Sequence, residues 1–257
     1  MNNFNTPAEI LDIWVTNGIN KAALSVRKMI LLGMAAGVYI GFGAHAFLLA
    51  TSVGETAFEA MLAKLVGAAL FPAGLMMVIL CGAELFTGNN LLTLALFQKK
   101  ITAGKMLRNW AVVYLANLAG SVILALLLAK SGLYAGAAGE RAVAVAISKT
   151  AAPFGELVIR GIFCNMMVVL ACWMQAGARD LAGKILAIWF PIMLFVFAGF
   201  EHSVANMTYI PLGMFLGADV TMGQFLIGNL LPVTIGNLIG GAVIVPCLYH
   251  FSYSKKS

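Results

Sequence analysis

Two long apolar segments of this chain are interrupted by the same polar pattern, Gly-x-Glu-x4-Asn, at Gly82–Asn89 and again at Gly199–Asn206. Each segment exceeds 30 residues, roughly 65–98 and 184–216. A straight helix of that length, at about 1.5 Å per residue, overshoots a hydrocarbon core about 30 Å thick. Irregular backbone persists at membrane depth only where protein or a wet cavity surrounds it. The two breaks therefore predict a transport site where they meet.

The composition predicts a polytopic membrane protein. Of 257 residues, 61% are hydrophobic and 10% are charged, and the mean hydropathy is +0.95, whereas soluble domains hold about 25% charged residues. Residues 1–28 lack the charged-then-apolar order of a cleavable signal peptide. We expect an N-terminal segment (1–28), one transport domain (29–250) and a short tail (251–257). The all-α transport domain would have six spans, with the second and fifth broken: 29–50, 65–98, 109–130, 157–178, 184–216 and 224–250.

The repeat extends beyond the breaks. Five residues of the third span recur in the sixth span at an offset of 120: Asn109, Val113, Asn117, Leu118 and Gly120 match Asn229, Val233, Asn237, Leu238 and Gly240. The chain is thus two halves, about 29–130 and 157–250, of three spans each. Because three is odd, the second half should be inverted relative to the first, an aquaporin-like plan typical of channels and transporters.

The charge distribution predicts the orientation. With the N-terminus in the cytoplasm, 11 of the 16 basic residues fall inside and 5 outside, so the positive-inside rule places both termini in the cytoplasm and the protein in the cell's inner (plasma) membrane. The inside set is Lys21, Arg27, Lys28, Lys99, Lys100, Lys105, Arg108, Arg179, Lys184, Lys255 and Lys256. The net charge of +6 is then a topology signal, with anionic lipid head groups rather than nucleic acid as the partner.

The N-terminal segment differs from the repeated spans. Thr6-Pro7-Ala8-Glu9 has the pattern of a capping box with proline at the first helical position. The apolar residues that follow are spaced as on one face of a helix. We expect a cytoplasmic amphipathic helix that lies against the bundle or a neighbouring subunit, or alternatively one that anchors to the membrane surface.

Three ionisable residues fall at membrane depth, where each costs about 2.5–3.5 kcal/mol on insertion scales. Glu84 and Glu201 occupy equivalent repeat positions, which favours a shared structural role: accepting hydrogen bonds from free backbone N–H groups at the breaks. A proton relay is the alternative. Asn89 and Asn206 end the same two patterns, and we expect them to help support the broken helices.

His202 has no counterpart in the first half, where Leu85 aligns with it. Its position in a broken helix and its titration near neutral pH favour a functional role. The symmetry of the repeat places Thr87 of the first half opposite His202, and the Thr87 hydroxyl could donate to an anion or to His202. His45 is interpreted as a packing or cavity-lining residue, and His250 receives no role.

A set of apolar side chains near the breaks could be either core or a gate that excludes water: Phe71, Leu75, Leu85, Phe86, Val168 and Phe195. Enzyme interpretations have no support, since the chain contains neither a HExxH motif nor a Gly-rich phosphate loop before a Lys-Ser/Thr pair. No cofactor or metal is expected.

These residues resemble the formate/nitrite transporters. The resemblance covers essentially the whole chain and is most specific at 82–89, 160–173, 195–207 and Gly236-Asn237. It implies a homopentamer with one pore per subunit that passes small monovalent anions such as formate, nitrite or hydrosulfide, and the hydrosulfide branch is the one the chain is most similar to. It also implies that Thr87 and His202 line a chamber between two constrictions. Lys149, in the loop between the halves, would supply positive potential, and Asn165 would add a polar contact.

Two mechanisms fit that resemblance. A protonated His202 could convert the anion into a neutral acid that crosses the apolar constriction at low cost, since a bare anion there pays heavily for desolvation. Alternatively, the anion passes unchanged and His202 is a pH-sensitive gate. An aquaporin-like pore for neutral solutes is disfavoured because the breaks lack Asn-Pro-Ala, and a receptor without transport is disfavoured by the paired polar breaks.

Overall fold

The computed structural model describes residues 4–54 and 56–254, and apart from one isolated β-bridge its regular structure there is helical. The predicted tail residues 255–257, with Lys255 and Lys256, lie outside the described residues. The helices are α1 Pro7–Ala22, α2 Val26–Ala50, α3 Ala57–Leu70, α4 Ala73–Leu80, α5 Leu92–Phe97, α6 Ala103–Lys130, α7 Ala137–Ala151, α8 Phe154–Gly177, α9 Leu181–Ala198, α10 Ser203–Phe215, α11 Leu231–Leu238 and α12 Val245–Tyr253. A 3-10 turn at Gly88–Leu91 precedes α5, and π-helical segments at Gln224–Leu230 and Ile239–Ile244 flank α11.

Six helical segments of the described residues are long and apolar enough to cross a membrane, as predicted: Val26–Ala50, Ala57–Leu80, Ala103–Lys130, Phe154–Gly177, Leu181–Ala198 and Gln224–Tyr253. The second starts at Ala57 rather than at 65. A capping box causes the difference, because the Thr56 hydroxyl accepts from the backbone N–H of Glu59 and the Glu59 carboxylate accepts from the backbone N–H of Thr56. The helix therefore begins before the apolar pattern does.

Both predicted breaks are confirmed. Helix α4 ends at Leu80, and Gly82 follows with a φ of +80°; helix α9 ends at Ala198, and Gly199 follows with a φ of +79°. Glycine adopts this left-handed conformation without the steric cost that a Cβ brings. The two matching glycines in the sequence pattern are therefore the points at which the two spans stop.

Helix α1 forms as predicted and packs on the bundle rather than lying apart from it. Its apolar face, including Ile10, Leu11 and Trp14, is buried against α5 and α8. The predicted capping box is present: Glu9 accepts from the backbone N–H of Thr6 at 2.6 Å and from its hydroxyl at 2.9 Å. The bond from the Thr6 backbone is the main cause that lowers the pKa of the Glu9 carboxyl.

The N-terminal helix has a counterpart in the second half of the chain. Residues 131–156, expected to be a loop between the halves, contain the helix α7, and α1 and α7 make matching bonds. Asn109 Nδ2 donates to the Lys21 carbonyl at 3.2 Å, and Asn229 Nδ2 donates to the Lys149 carbonyl at 2.8 Å. Neither helix is a long apolar run, so the search for spans could not reveal them as a pair. The inversion of the second half remains a prediction from the odd number of spans.

Glycines let the spans cross closely at matched positions. A Cβ built on Gly120 of α6 would lie 2.1 Å from the Met34 carbonyl oxygen of α2, and one on Gly240 would lie 2.2 Å from the Ile162 carbonyl oxygen of α8. One of the five matched pairs that define the repeat in the sequence, Gly120 and Gly240, is therefore required by backbone contact.

Gly120→Ala is expected to lower the stability of the protein by about 1–3 kcal/mol, the usual cost of overpacking a close contact. Gly104→Ala in the same helix is the matched control, because nothing lies within 4 Å of its Cβ position. Alanine there should stabilise the helix by about 0.5–1 kcal/mol. Thermal unfolding in detergent measures both, and equal melting temperatures for the two variants would contradict the close crossing.

Candidate anion pathway

Each break is held by a buried carboxylate that bridges a lysine and an asparagine. In the second half, Lys149 Nζ lies 3.0 and 2.9 Å from the two Glu201 oxygens, and Asn206 Nδ2 donates to Glu201 Oε2 at 2.7 Å. Asn206 Nδ2 also donates to Asn229 Oδ1 at 2.8 Å. A buried ion pair with its remaining lone pairs satisfied is far less costly than an isolated charge.

The first half repeats this arrangement with the same residue types, although Lys21 bonds to one carboxylate oxygen rather than two. Lys21 Nζ lies 2.6 Å from Glu84 Oε1, and Asn89 Nδ2 donates to Glu84 Oε2 at 2.7 Å and to Asn109 Oδ1 at 2.9 Å. The sequence predicted a structural role for the two glutamates, but the groups that bond to their carboxylates differ from those expected. Lysine and asparagine side chains donate to the two carboxylates, where free backbone N–H groups were expected.

Two buried amides bond to the backbone at the breaks instead. Asn237 Nδ2 donates to the carbonyls of Gly161 and Glu201 at 2.9 and 3.0 Å, and its Oδ1 accepts from the Ser203 N–H at 2.9 Å. Its counterpart Asn117 makes the equivalent three bonds. The repeat pattern pointed to both asparagines, but nothing in the sequence assigned them this role.

His202 and Thr87 meet across the two breaks. His202 Nε2 lies 2.9 Å from Thr87 Oγ1, and His202 Nδ1 accepts from the backbone N–H of Ala205 at 3.0 Å, where it caps α10. Accepting that bond requires a lone pair on Nδ1. The ring in this arrangement is therefore neutral, with its hydrogen on Nε2, where it donates to the Thr87 hydroxyl oxygen.

A small apolar space, which we call the central gap, lies beside His202 and encloses about 10 Å³. A single water needs about 10–15 Å³, so the gap holds at most one water and no hydrated ion. Its walls are Ile40, Phe71, Leu75, Leu85, Val168, Ile192, Phe195 and His202.

Five of the six apolar side chains selected from the sequence line this gap, and Phe86 does not. The Phe86 ring packs edge-on against Tyr114 and Trp110 of α6, with centroids 4.8 and 6.4 Å away. Ile40 of α2 and Ile192 of α9 complete the gap. Ile40 lies far from both breaks in the sequence, so only the packing of the helices identifies it, whereas Ile192 has the same position before Gly199 as Leu75 has before Gly82.

A larger cavity lies on each side of the gap. The α1-side cavity, about 660 Å³, is bordered by Leu75 and Leu85, and the α7-side cavity, about 110 Å³, by Phe71, Phe195 and His202. The charged side chains of the α1-side cavity are Lys21, Glu84, Arg179 and Lys184, and those of the α7-side cavity are Lys64, Lys149 and Glu201. Basic groups outnumber acidic groups in both.

Lys149 reaches the pathway from a helix rather than from the predicted loop. Its ammonium group lies 5.2 Å from the centroid of the Tyr209 ring in addition to its contact with Glu201, and it lines the α7-side cavity.

Asn165 is fully buried behind Thr87: its Nδ2 donates to Asn90 Oδ1 at 2.7 Å and to the Thr87 carbonyl at 3.4 Å. It does not line the gap or either cavity.

A six-span helical protein with two basic cavities joined by a narrow apolar gap has the architecture of a membrane channel or transporter for small anions. Within the described ranges, no group of three or more His, Cys, Asp or Glu side chains is arranged to hold a metal ion. The model of the formate/nitrite transporter family matches residues 8–251. The chain therefore belongs to this family.

Individual proteins agree with that assignment. The chain is 43% identical to "Uncharacterized transporter YrhG" of Bacillus subtilis (strain 168), with 98% of this chain and 95% of the relative covered. It is 39% identical to the "Probable formate transporter" of Methanothermobacter thermautotrophicus, with 98% of each covered. Both relatives are named as transporters, and this chain aligns with nearly the full length of each.

Two solved structures share the fold. An "FNT family ion channel" superposes with a TM-score of 0.87 at 32% identity, over 95% of this chain and 98% of that chain. A "Pentameric formate channel with formate bound" superposes with a TM-score of 0.79 at 32% identity, over 90% and 98%. The predicted six-span, all-helical membrane fold is therefore confirmed, and it is shared with a solved family member.

Proposed function

We propose that this protein conducts formate and similar small monovalent anions across the inner (plasma) membrane as a homopentamer with one pathway per subunit and both termini cytoplasmic. The observation that best supports the proposal is the arrangement of cavities along the pathway: two cavities with excess basic charge are separated by a gap of about 10 Å³. The relatives and the pentameric structure named for formate support the substrate class and the assembly.

The charges of the cavities would concentrate anions at both mouths of the gap. Three basic groups face one carboxylate in the α1-side cavity, and Lys64 and Lys149 face Glu201 in the α7-side cavity. Clefts lined by one sign of charge raise the local concentration of the opposite ion. Because each cavity keeps one pairing carboxylate, an anion is attracted without being held tightly, which conduction requires.

The substrate would cross the gap as its neutral acid. Transfer of a bare anion into an apolar space of low dielectric constant costs tens of kcal/mol by simple solvation estimates. Formate, nitrite and hydrosulfide each have a weak conjugate acid that avoids this cost. His202 does not supply the proton in the arrangement described, because its Nδ1 accepts from Ala205. The proton would come from water in the cavities, and His202 and Thr87 would supply neutral hydrogen bonds along the wall.

The alternative is a passive, pH-gated pore in which the anion keeps its charge. Protonation of His202 would then be the gating event, since it would break the bond from the Ala205 N–H and free the start of α10. This alternative predicts flux that carries charge, whereas the neutral-acid mechanism predicts flux that does not.

Flux into proteoliposomes tests the function directly. Formate, nitrite and hydrosulfide would be compared with empty vesicles, with and without an inward proton gradient. Uptake of at least one of these substrates above the empty-vesicle rate, accelerated by external acid, is the expected result. No protein-dependent uptake of any of the three would refute the proposal and favour a receptor or scaffold.

Thr87→Val is expected to slow formate uptake about tenfold, equivalent to about 1.4 kcal/mol, because it removes the hydroxyl that faces His202 Nε2 and leaves a buried N–H unpaired. Thr93→Val is the matched control. The Thr93 hydroxyl is also buried but donates to the Asn90 carbonyl of its own turn at 2.9 Å. Equal uptake by the two variants in proteoliposomes would remove Thr87 from the pathway.

A further inference from the structure

A separate pocket of about 430 Å³ lies away from the pathway, between the start of α1, the turn after α5 and the end of α12. It shares no lining residue with the central gap or with the α1-side and α7-side cavities. Its polar and ionisable side chains are Asp12, Gln98, Lys99, Lys100, His250, Tyr253 and Ser254. The charge pattern of the sequence places this end of the molecule at the cytoplasmic surface.

The turn after α5 holds a lysine where a glycine is expected. The Lys99 N–H bonds to the Leu96 carbonyl at 2.9 Å and the Lys100 N–H bonds to the Ala95 carbonyl at 2.8 Å, the bonding of a Schellman motif. The residue at this position takes a left-handed conformation, and Lys99 has a φ of +55°. Among the described residues, Lys99 is the one non-glycine with positive φ.

The second half provides an internal comparison. At the end of α10, Gly217 takes the same position with a φ of +98°, and its N–H bonds to the Met214 carbonyl at 3.1 Å while the Ala218 N–H bonds to the Gly213 carbonyl at 2.8 Å. At this position the second half of the repeat thus has a glycine, which adopts the left-handed conformation at low cost, and the first half has a lysine. A side chain kept in a conformation that disfavours it indicates a role for that side chain.

The two lysine side chains at this turn are exposed. Within residues 4–54 and 56–254, no hydrogen bond or ion pair joins the Lys99 or Lys100 ammonium group to another side chain. Asp12, exposed on α1, is the one carboxylate on the wall of the pocket.

The position of the pocket indicates what kind of group would reach it. Beside it, the end of α12 exposes Phe251 by 81% and Tyr253 by 39%, and aromatic side chains at the end of a span are typical of the membrane–water interface. At that depth the abundant anion is phosphate, and lysines bind it as point charges.

We propose that this pocket binds a phosphate group through Lys99 and Lys100. The phosphate belongs either to the head group of an anionic phospholipid or to free phosphate in the cytoplasm. In either case the site is distinct from the anion pathway.

The test uses the full-length protein solubilised from vesicles of equal phosphatidylglycerol and phosphatidylcholine, with retained lipid counted by native mass spectrometry. Inorganic phosphate is titrated separately and its binding followed by phosphorus NMR. The double variant Lys99→Gly, Lys100→Gln removes both charges and gives the left-handed position its favoured residue, so it should melt no lower than the parent. Lys105→Gln, exposed at the start of α6, removes a charge elsewhere on the same predicted face.

Phosphatidylglycerol retained over phosphatidylcholine, and reduced about tenfold in the double variant alone, would identify the lipid head group. Binding of inorganic phosphate that the double variant loses, without lipid preference, would identify free phosphate. The proposal is overturned if neither probe distinguishes parent from double variant, or if Lys105→Gln has the same effect.

Discussion

Phe195→Ala is expected to turn the central gap into a leak that passes formate at least about tenfold faster and carries charge. The Phe195 ring meets Phe71 edge-on at 5.6 Å and stacks with His202 at 6.0 Å. Without it, the gap of about 10 Å³ becomes wide enough for water. A hydrated anion then crosses with no need for a proton, so current through a planar bilayer in formate solution should appear.

Phe86→Ala is the matched control for this experiment. It removes a phenyl ring from a buried position at the first break, whereas Phe195 precedes the second break, and the Phe86 ring packs against Tyr114 and Trp110 and does not line the gap. The variant should lose stability without gaining current. Current through Phe86→Ala, or none through Phe195→Ala, would place the narrow part of the pathway elsewhere.

Asn237→Leu is expected to lower the stability of the protein by about 2–5 kcal/mol and to abolish uptake. Leucine has nearly the same size but would leave the Ser203 N–H and the carbonyls of Gly161 and Glu201 unpaired in a buried site. Each such group costs about 1–3 kcal/mol in a water-soluble core, and bonds inside membrane proteins are often weaker. Unfolding in a denaturing detergent measures the loss.

Asn117→Leu provides the comparison from the other half of the repeat. Because Asn117 makes the same three bonds, its loss should be similar to that of Asn237→Leu. A change of less than about 1 kcal/mol in both variants would show that these amides do not hold the breaks.

The sequence predicted the spans and the breaks because both follow from the cost of placing polar backbone in lipid. The Gly-x-Glu-x4-Asn repeat located Gly82 and Gly199 where the helices stop. The offset of 120 located Asn117 and Asn237. Such features depend on residues close together in the chain or on an exact internal copy.

Contacts between distant segments could not be predicted in the same way. The partners of Glu84 and Glu201 are lysines 63 and 52 residues away, on two short helices that no apolar run reveals. The sequence could not show that Leu85 lines the gap and Phe86 does not. Where a helix is broken, the side chains of neighbouring residues face in different directions. Lys149 was assigned to the pathway from family resemblance, and its position in the wall of the α7-side cavity depends on helix α7, which the sequence did not predict.

The neutral-acid crossing is tested most directly by following formate and protons together. Proteoliposomes loaded with a pH-sensitive dye would take up labelled formate while internal pH and membrane potential are recorded. One proton entering with each formate, with no change in potential, is the expected result. Formate uptake that builds up a negative internal potential and leaves internal pH unchanged would contradict the account and establish passive conduction of the anion.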